Sequence, residues 1–201
     1  MNDNSNNVMK SALNVPNQLT VMRLILSVVL FCFIACQWYL TGMVLFIIAA
    51  STDWLDGYYA RRYGLVTTLG RILDPFADKV IICGTFIFLV AVPAMGEVAW
   101  GWGLQAWMVV VIVGRELLVT ALRSFLEERG ADFSAKMPGK LKMVFQCVAA
   151  GTALFCLSYV KPAAVPPWIA WLLIVSVWSA VLLTVYSGAG YVVAAVKLLR
   201  Q

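Results

Sequence analysis

The chain predicts an all-α fold of the polytopic membrane class: a six-transmembrane-helix bundle preceded by a short N-terminal interfacial helix. Three observations predict it. Hydrophobic residues make up 62% of the 201 residues and charged ones 12%, gathered in apolar runs of about 20 residues, the length a bilayer core requires of a helix. Every lysine and arginine except Lys161 falls in segments that an even number of crossings puts on one side. The positive-inside rule makes that side cytoplasmic, with both termini. Trp38, Tyr39, Trp100, Trp102, Trp168 and Trp171 collect near the opposite ends, as an interfacial aromatic belt does.

Residues 1–10 are a polar tail without the apolar core of a signal peptide, and 11–201 form one membrane domain. Ser11 to Met22 suits a short interfacial helix interrupted at Pro16, with Asn17 as a cap. Asn17, Thr20 and Arg23, three apart, share nearly one helix face, and Arg23 is placed to snorkel to the headgroups. The first span runs from Leu24 to Leu40, with a turn at Thr41-Gly42. The second runs from Met43 to Arg61. Tyr63 to Thr68 is a polar connection, and a third helix from Leu69 to Val92 accommodates Pro75 in its first turns. Pro93 to Gly101 form an external loop. The fourth span is Trp102–Leu122, a cytoplasmic loop follows to Pro138, and the fifth span ends near Tyr159. Pro162, Pro166 and Pro167 mark an external turn before the sixth span, Trp168–Val193. Ser179, Ala180, Ser187, Gly188 and Gly190 suit close helix packing at a dimer face.

Composition removes several chemistries. There is no histidine, so Ser-His-Asp and Cys-His catalysis and histidine-ligated zinc are excluded, and a general base must be a carboxylate or lysine. The five cysteines sit inside apolar runs without metal-type spacing and read as apolar filler. The net charge of +5 follows membrane sidedness, and no nucleic-acid partner is expected.

Against this background the stretch from Asp53 to Asp78 stands out, with the pattern D-x2-D-G-x2-A-R-x8-G-x3-D-x3-D. On helices, Asp53, Asp56 and Ala60 fall on one face with Gly57 beside them, while Gly70, Asp74 and Asp78 line a face of the next helix. Carboxylates near a membrane centre are expensive, by about 2.5–3.5 kcal/mol each. Arg61, Arg62, Arg71 and Lys79 offset part of this as an internal salt-bridge network. The sharper reading is a two-metal site, since hard oxygen ligands suit Mg²⁺ or Mn²⁺ and paired ions clamp a transferring phosphoryl group.

A second cluster gathers Arg115, Arg123, Lys136, Lys140 and Lys142 at the cytoplasmic ends of spans four and five. Sidedness and headgroup contact account for Lys136 and Lys142. Arg115 and Arg123 lie within an apolar helix, where a guanidinium needs an anionic partner. Glu116 is rotated from Arg115 by about 100° on the helix, which leaves an arginine for a phosphate-bearing substrate.

These residues resemble the CDP-alcohol phosphotransferases, integral membrane enzymes of six helices that usually form dimers. The pattern from Asp53 to Asp78 matches that family's signature position for position. Asn17-x2-Thr20-x2-Arg23, Asp74-Pro75-x-Ala77-Asp78-Lys79, Gly114-Arg115-Glu116 and Gly139-Lys140-x-Lys142 with Gln146 resemble the branch that makes phosphatidylglycerophosphate. Met143 departs from it, standing where many members carry threonine. The resemblance implies phosphatidyl transfer from CDP-diacylglycerol to glycerol 3-phosphate with release of CMP, in a bacterial cytoplasmic membrane. It implies two divalent cations on Asp53, Asp56, Asp74 and Asp78, with Asp78 as base. Gly57, Ala60, Arg61, Gly70, Asn17 and Thr20 would bind the CDP moiety, and Arg115, Arg123 and Lys140 the acceptor phosphate. The same chemistry with inositol phosphate, serine or phosphatidylglycerol as acceptor stays open, as does a divalent-cation transporter.

Overall fold

The computed structural model describes residues 15–63, 68–128, 137–158 and 165–199. Among these the chain is all α, with six helices and no strand. They are α1 (Val15–Ala35), α2 (Tyr39–Tyr63), α3 (Thr68–Val90), α4 (Ala106–Glu128), α5 (Met137–Leu157) and α6 (Pro167–Leu199). Two 3₁₀ turns, Pro93–Gly96 and Val98–Gly101, separate α3 from α4. The chain divides into two compact units, one ending at Phe88 and one beginning at Leu89.

In the first unit, α1 buries Thr20, Arg23, Ser27, Leu30 and Ile34. This three-and-four spacing is a single helical stripe, polar in its first half and apolar in its second. The expected interfacial helix is, from Val15 onward, continuous with the first apolar span; Ser11 to Asn14 lie outside the described residues. Asn17 falls in the first turn of α1 and Pro16 is its second residue, a position where the missing N–H is tolerated.

The break after α1 comes earlier than Thr41-Gly42. Gln37 adopts a left-handed φ of 64°, its N–H bonds Ile34 O at 3.0 Å, and the Trp38 N–H bonds Phe33 O at 2.9 Å. That pair of bonds is a Schellman stop, and the Phe33 and Trp38 rings pack 5.6 Å apart across it. Gly42, expected in the turn, lies inside α2.

Helix α3 packs on α1 through glycine. At Gly84 a Cβ would lie 2.1 Å from Phe31 Cζ, so only a residue without one lets the ring seat there. Phe31 also stacks on Phe88 at 4.9 Å between centroids.

In the second unit, α6 packs on both α4 and α5. Its buried face carries Ser176, Thr184 and Ser187 among Leu173, Val177, Ala180 and Val181, whereas Trp171, Leu172, Val175, Leu182 and Val185 face outward. Small polar groups inside and large apolar groups outside is the arrangement that hydrocarbon, not water, favours. The Ser176 and Ser187 hydroxyls donate to carbonyls of the preceding turn of α6, so no polar group there is left bare. Residues Pro167–Val193 of α6 are long and apolar enough to cross a membrane. Thr20–Ala35, Tyr39–Ser51 and Leu141–Leu157 are shorter apolar stretches. In the turns before α4, Ala99 and Trp100 take left-handed φ values of 56° and 54°. Trp100 there meets Trp171 edge to face at 6.2 Å.

Candidate functional site

The acidic stretch is carried by two helices of the first unit. Asp53, Asp56, Gly57, Ala60 and Arg61 lie in the last three turns of α2, and Gly70, Asp74 and Asp78 in the first half of α3. Of the four aspartates, Asp78 alone has a side chain within the description; those of Asp53, Asp56 and Asp74, with Arg61 and Asn17, lie outside it. Among the described residues no group of three or more potential ligands surrounds one point. The donor set is four carboxylates with neither histidine nor thiolate, which fits a hard divalent ion and not zinc or copper.

Asp78 is brought together with Arg23. The guanidinium NH1 donates to Asp78 Oδ1 at 2.7 Å, with the Arg23 side chain 4% exposed and that of Asp78 31%. Arg23 was expected to snorkel outward. Instead it turns inward on the buried stripe of α1, because a guanidinium inside an apolar helix is stabilised most by a carboxylate on the neighbouring helix. The sequence argument that singled out Arg115 and Arg123 applied equally to Arg23. Thr20 is buried one turn earlier on the same stripe. Lys79, expected to help offset the aspartates, donates to the Pro75 carbonyl of its own helix at 3.1 Å.

The basic cluster belongs to the second unit. Arg115 NH2 donates to Ser187 Oγ at 2.9 Å, and the Arg115 stem lies against Gly188, where a Cβ would be 3.0 Å from its Cγ. Ser187 and Gly188, expected to allow close helix packing, do so and form the floor beneath an arginine. Two turns further along α4 and one turn along α6, Arg123 NH2 donates to the Tyr191 hydroxyl at 3.0 Å. Both guanidinium carbons stand 5.8 Å from the Tyr191 ring centroid, within range of cation–π attraction. The Nε atoms of Arg115 and Arg123 are buried and make no hydrogen bond among the described residues, so donor capacity remains for an anion.

Glu116 does not point away from this cluster. Its Oε1 accepts from Lys142 Nζ and lies 3.5 Å from Arg115 NH1. A long side chain can close the 100° between neighbouring helix positions when a buried charge requires a partner. Lys142, expected at the headgroups, has a side chain only 8% exposed. Gln146, one turn on from Lys142, donates to Thr184 Oγ1 at 3.4 Å, tying α5 to α6. The side chain of Lys140 and all of Arg129 and Lys136 lie outside the described residues.

Comparison with known proteins bears on the chain as a whole. A family model described as CDP-alcohol phosphatidyltransferase matches residues 13–196. A Bacillus subtilis protein named CDP-diacylglycerol–glycerol-3-phosphate 3-phosphatidyltransferase is 39% identical over 153 residues, 76% of this chain and 72% of its own length. A probable phosphatidylglycerophosphate synthase of Mycobacterium tuberculosis is 33% identical over 193 residues, covering 92% of this chain and 82% of its own. A Rickettsia typhi protein with the same name as the Bacillus one is 32% identical over 184 residues, 89% of this chain and 94% of its own.

Proposed function

Because this chain belongs to the CDP-alcohol phosphatidyltransferase family, we propose that it transfers the phosphatidyl group of CDP-diacylglycerol to the primary hydroxyl of glycerol 3-phosphate. The products are phosphatidylglycerophosphate and CMP. Support comes from the family match, from relatives named for this reaction, and from the part-buried arginine pair organised around Tyr191, whose Nε atoms are buried. The last observation carries the choice of acceptor, because buried guanidinium donors suit a phosphomonoester better than the neutral hydroxyl of serine.

In this reading the acceptor hydroxyl oxygen attacks the phosphorus that bears the diacylglycerol. The bond from that phosphorus to the bridging oxygen breaks in line, and CMP departs with the bridging oxygen. Asp78 takes the hydroxyl proton on its carboxylate, while Arg23, bonded to Oδ1, fixes that carboxylate's orientation. Asp53, Asp56, Asp74 and Asp78 would hold two divalent cations, Mg²⁺ or Mn²⁺, which when bound offset the charge of the diphosphate. Gly57, Ala60, Arg61 and Gly70, with Asn17 and Thr20, form the CDP subsite, and small residues there let the nucleotide approach the helix. Arg115, Arg123 and Lys140 hold the acceptor phosphate. The six helices span a bacterial cytoplasmic membrane with the site on the cytoplasmic face, where water-soluble reactants arrive and lipid enters sideways. Two copies associate as a homodimer.

The test is an assay of CMP release by purified protein with CDP-diacylglycerol and labelled glycerol 3-phosphate, with and without Mg²⁺ or Mn²⁺. Metal-dependent CMP release matched by label in lipid is expected. Label entering lipid from inositol phosphate and not from glycerol 3-phosphate would overturn the acceptor. Metal flux into liposomes without nucleotide would overturn the transferase reading itself.

A further inference from the structure

Arg115 and Arg123 have work in the reaction proposed above, but the buried ion pair beside them has none. Glu116 is a puzzling neighbour for an arginine that must bind an anion. The two are adjacent on α4, and in a dry interior a carboxylate attracts a guanidinium far more strongly than it does at a wet surface. Left alone with Arg115, Glu116 would close a two-pronged pair with it and cancel the charge that a phosphate needs.

The structure shows a different division. Lys142 reaches across from α5 and bonds Oε1, the same carboxylate oxygen that faces Arg115. Arg115 NH1 stands off at 3.5 Å, the outer limit of a hydrogen bond. Its NH2 is turned to Ser187 at 2.9 Å, and its stem is held against Gly188. Two cations thus share one carboxylate oxygen, and Arg123 lies against the same Tyr191 ring as Arg115.

We infer that Lys142 is a positioning residue of the acceptor site: it occupies Glu116 and thereby keeps Arg115 available to the phosphomonoester, without touching the acceptor itself. The inference rests on the acceptor-site reading above. A lysine suits the task because its ammonium is a compact point charge on a flexible stem.

The experiment measures glycerol 3-phosphate binding by calorimetry on the full-length protein in detergent, together with KM for each substrate. The variants are Lys142→Gln, Glu116→Gln with Lys142→Gln, and Arg115→Gln. Lys142→Gln frees Glu116 to engage Arg115, and it should weaken acceptor binding by about ten-fold, the scale of one charge-assisted hydrogen bond. KM for CDP-diacylglycerol should stay within about two-fold of wild type, since no donor contact is lost. The double variant removes both members of the Lys142–Glu116 pair, so no carboxylate competes for Arg115, and it should bind the acceptor within about three-fold of wild type.

Weak binding by the double variant would mean that Lys142 contacts the acceptor or only supports the fold, and the inference falls. That outcome decides the matter even if Lys142→Gln alone fails to fold. Unchanged binding by Lys142→Gln also overturns it. Arg115→Gln separates the two levels: if it binds glycerol 3-phosphate normally, the acceptor-site reading itself is wrong. If it binds poorly while the double variant is not rescued, only the role of Lys142 is.

Discussion

The α1–α3 seam of the first unit and the α4–α5–α6 seam of the second each bury an arginine beside a carboxylate, and they balance charge differently. At the first, Arg23 donates to Asp78 at 2.7 Å. At the second, Lys142 and Arg115 share one carboxylate, Glu116, and Arg123 joins Arg115 against the Tyr191 ring. A matched pair mainly orients its members, and its net contribution to stability is small because desolvation offsets attraction. An unmatched excess of buried cations is destabilising in an empty site, and becomes favourable only when an anion arrives. In the proposed reading, the first seam holds a carboxylate for chemistry and the second holds cations for binding.

Substitutions probe that distinction. The largest effect belongs to Asp78→Asn, which removes the proton acceptor and should lower CMP release by about 10²–10⁴-fold. Glycerol 3-phosphate binding should persist in this variant, and its loss would argue that the two seams are not separate in function. Arg23→Met comes next, since it removes the guanidinium that Asp78 accepts from. A drop of roughly 2–4 kcal/mol is expected, below the figure for a fully buried pair because Asp78 is partly exposed. It is read as a fall in Tm in detergent. Adding Asp78→Asn to Arg23→Met should recover much of the Tm and none of the turnover; a single variant as stable as wild type would show that the pair is incidental.

Arg115→Gln should raise KM for glycerol 3-phosphate by about 10–100-fold, as expected for one or two lost charge-assisted hydrogen bonds, with Tm nearly unchanged. A large Tm loss with normal KM would make Arg115 structural, like Arg23. The smallest effect is that of Gly84→Ala, which drives a methyl into the Phe31 ring. Overpacking there should lower stability by about 1–3 kcal/mol, visible in Tm. If kcat falls as well, the α1–α3 seam positions Asp78 through helix spacing as well as through Arg23.

The helices themselves were readable because hydropathy and proline placement are local properties. The third helix was expected from Leu69 to Val92 and runs from Thr68 to Val90; the sixth was expected to end at Val193 and continues to Leu199. The end of α1 was misjudged because the usual glycine cue pointed to Gly42, whereas Gln37 supplies the left-handed residue and the Phe33–Trp38 contact supports it. The consecutive left-handed Ala99 and Trp100 carry no such cue at all. Arg115 and Arg123 stood out by their position in an apolar run. Glu116 was expected to point away from Arg115, Lys142 to sit at the headgroups, and snorkelling was one of two readings of Arg23; packing placed all three inside.

The amino-acid order alone determined an all-helical chain, the apolar character of its segments, the four-aspartate pattern and the family it belongs to. These depend on spacing and composition within a few turns of helix, where 3.6 residues per turn fixes which side chains share a face. Tertiary structure decided who pairs with whom. Arg23 finds Asp78 from 55 positions away, Lys142 finds Glu116 from 26, and Arg115 finds Ser187 from 72. Such choices depend on how distant helix faces meet, and on the strong preference of a buried charge for the nearest group that can neutralise it.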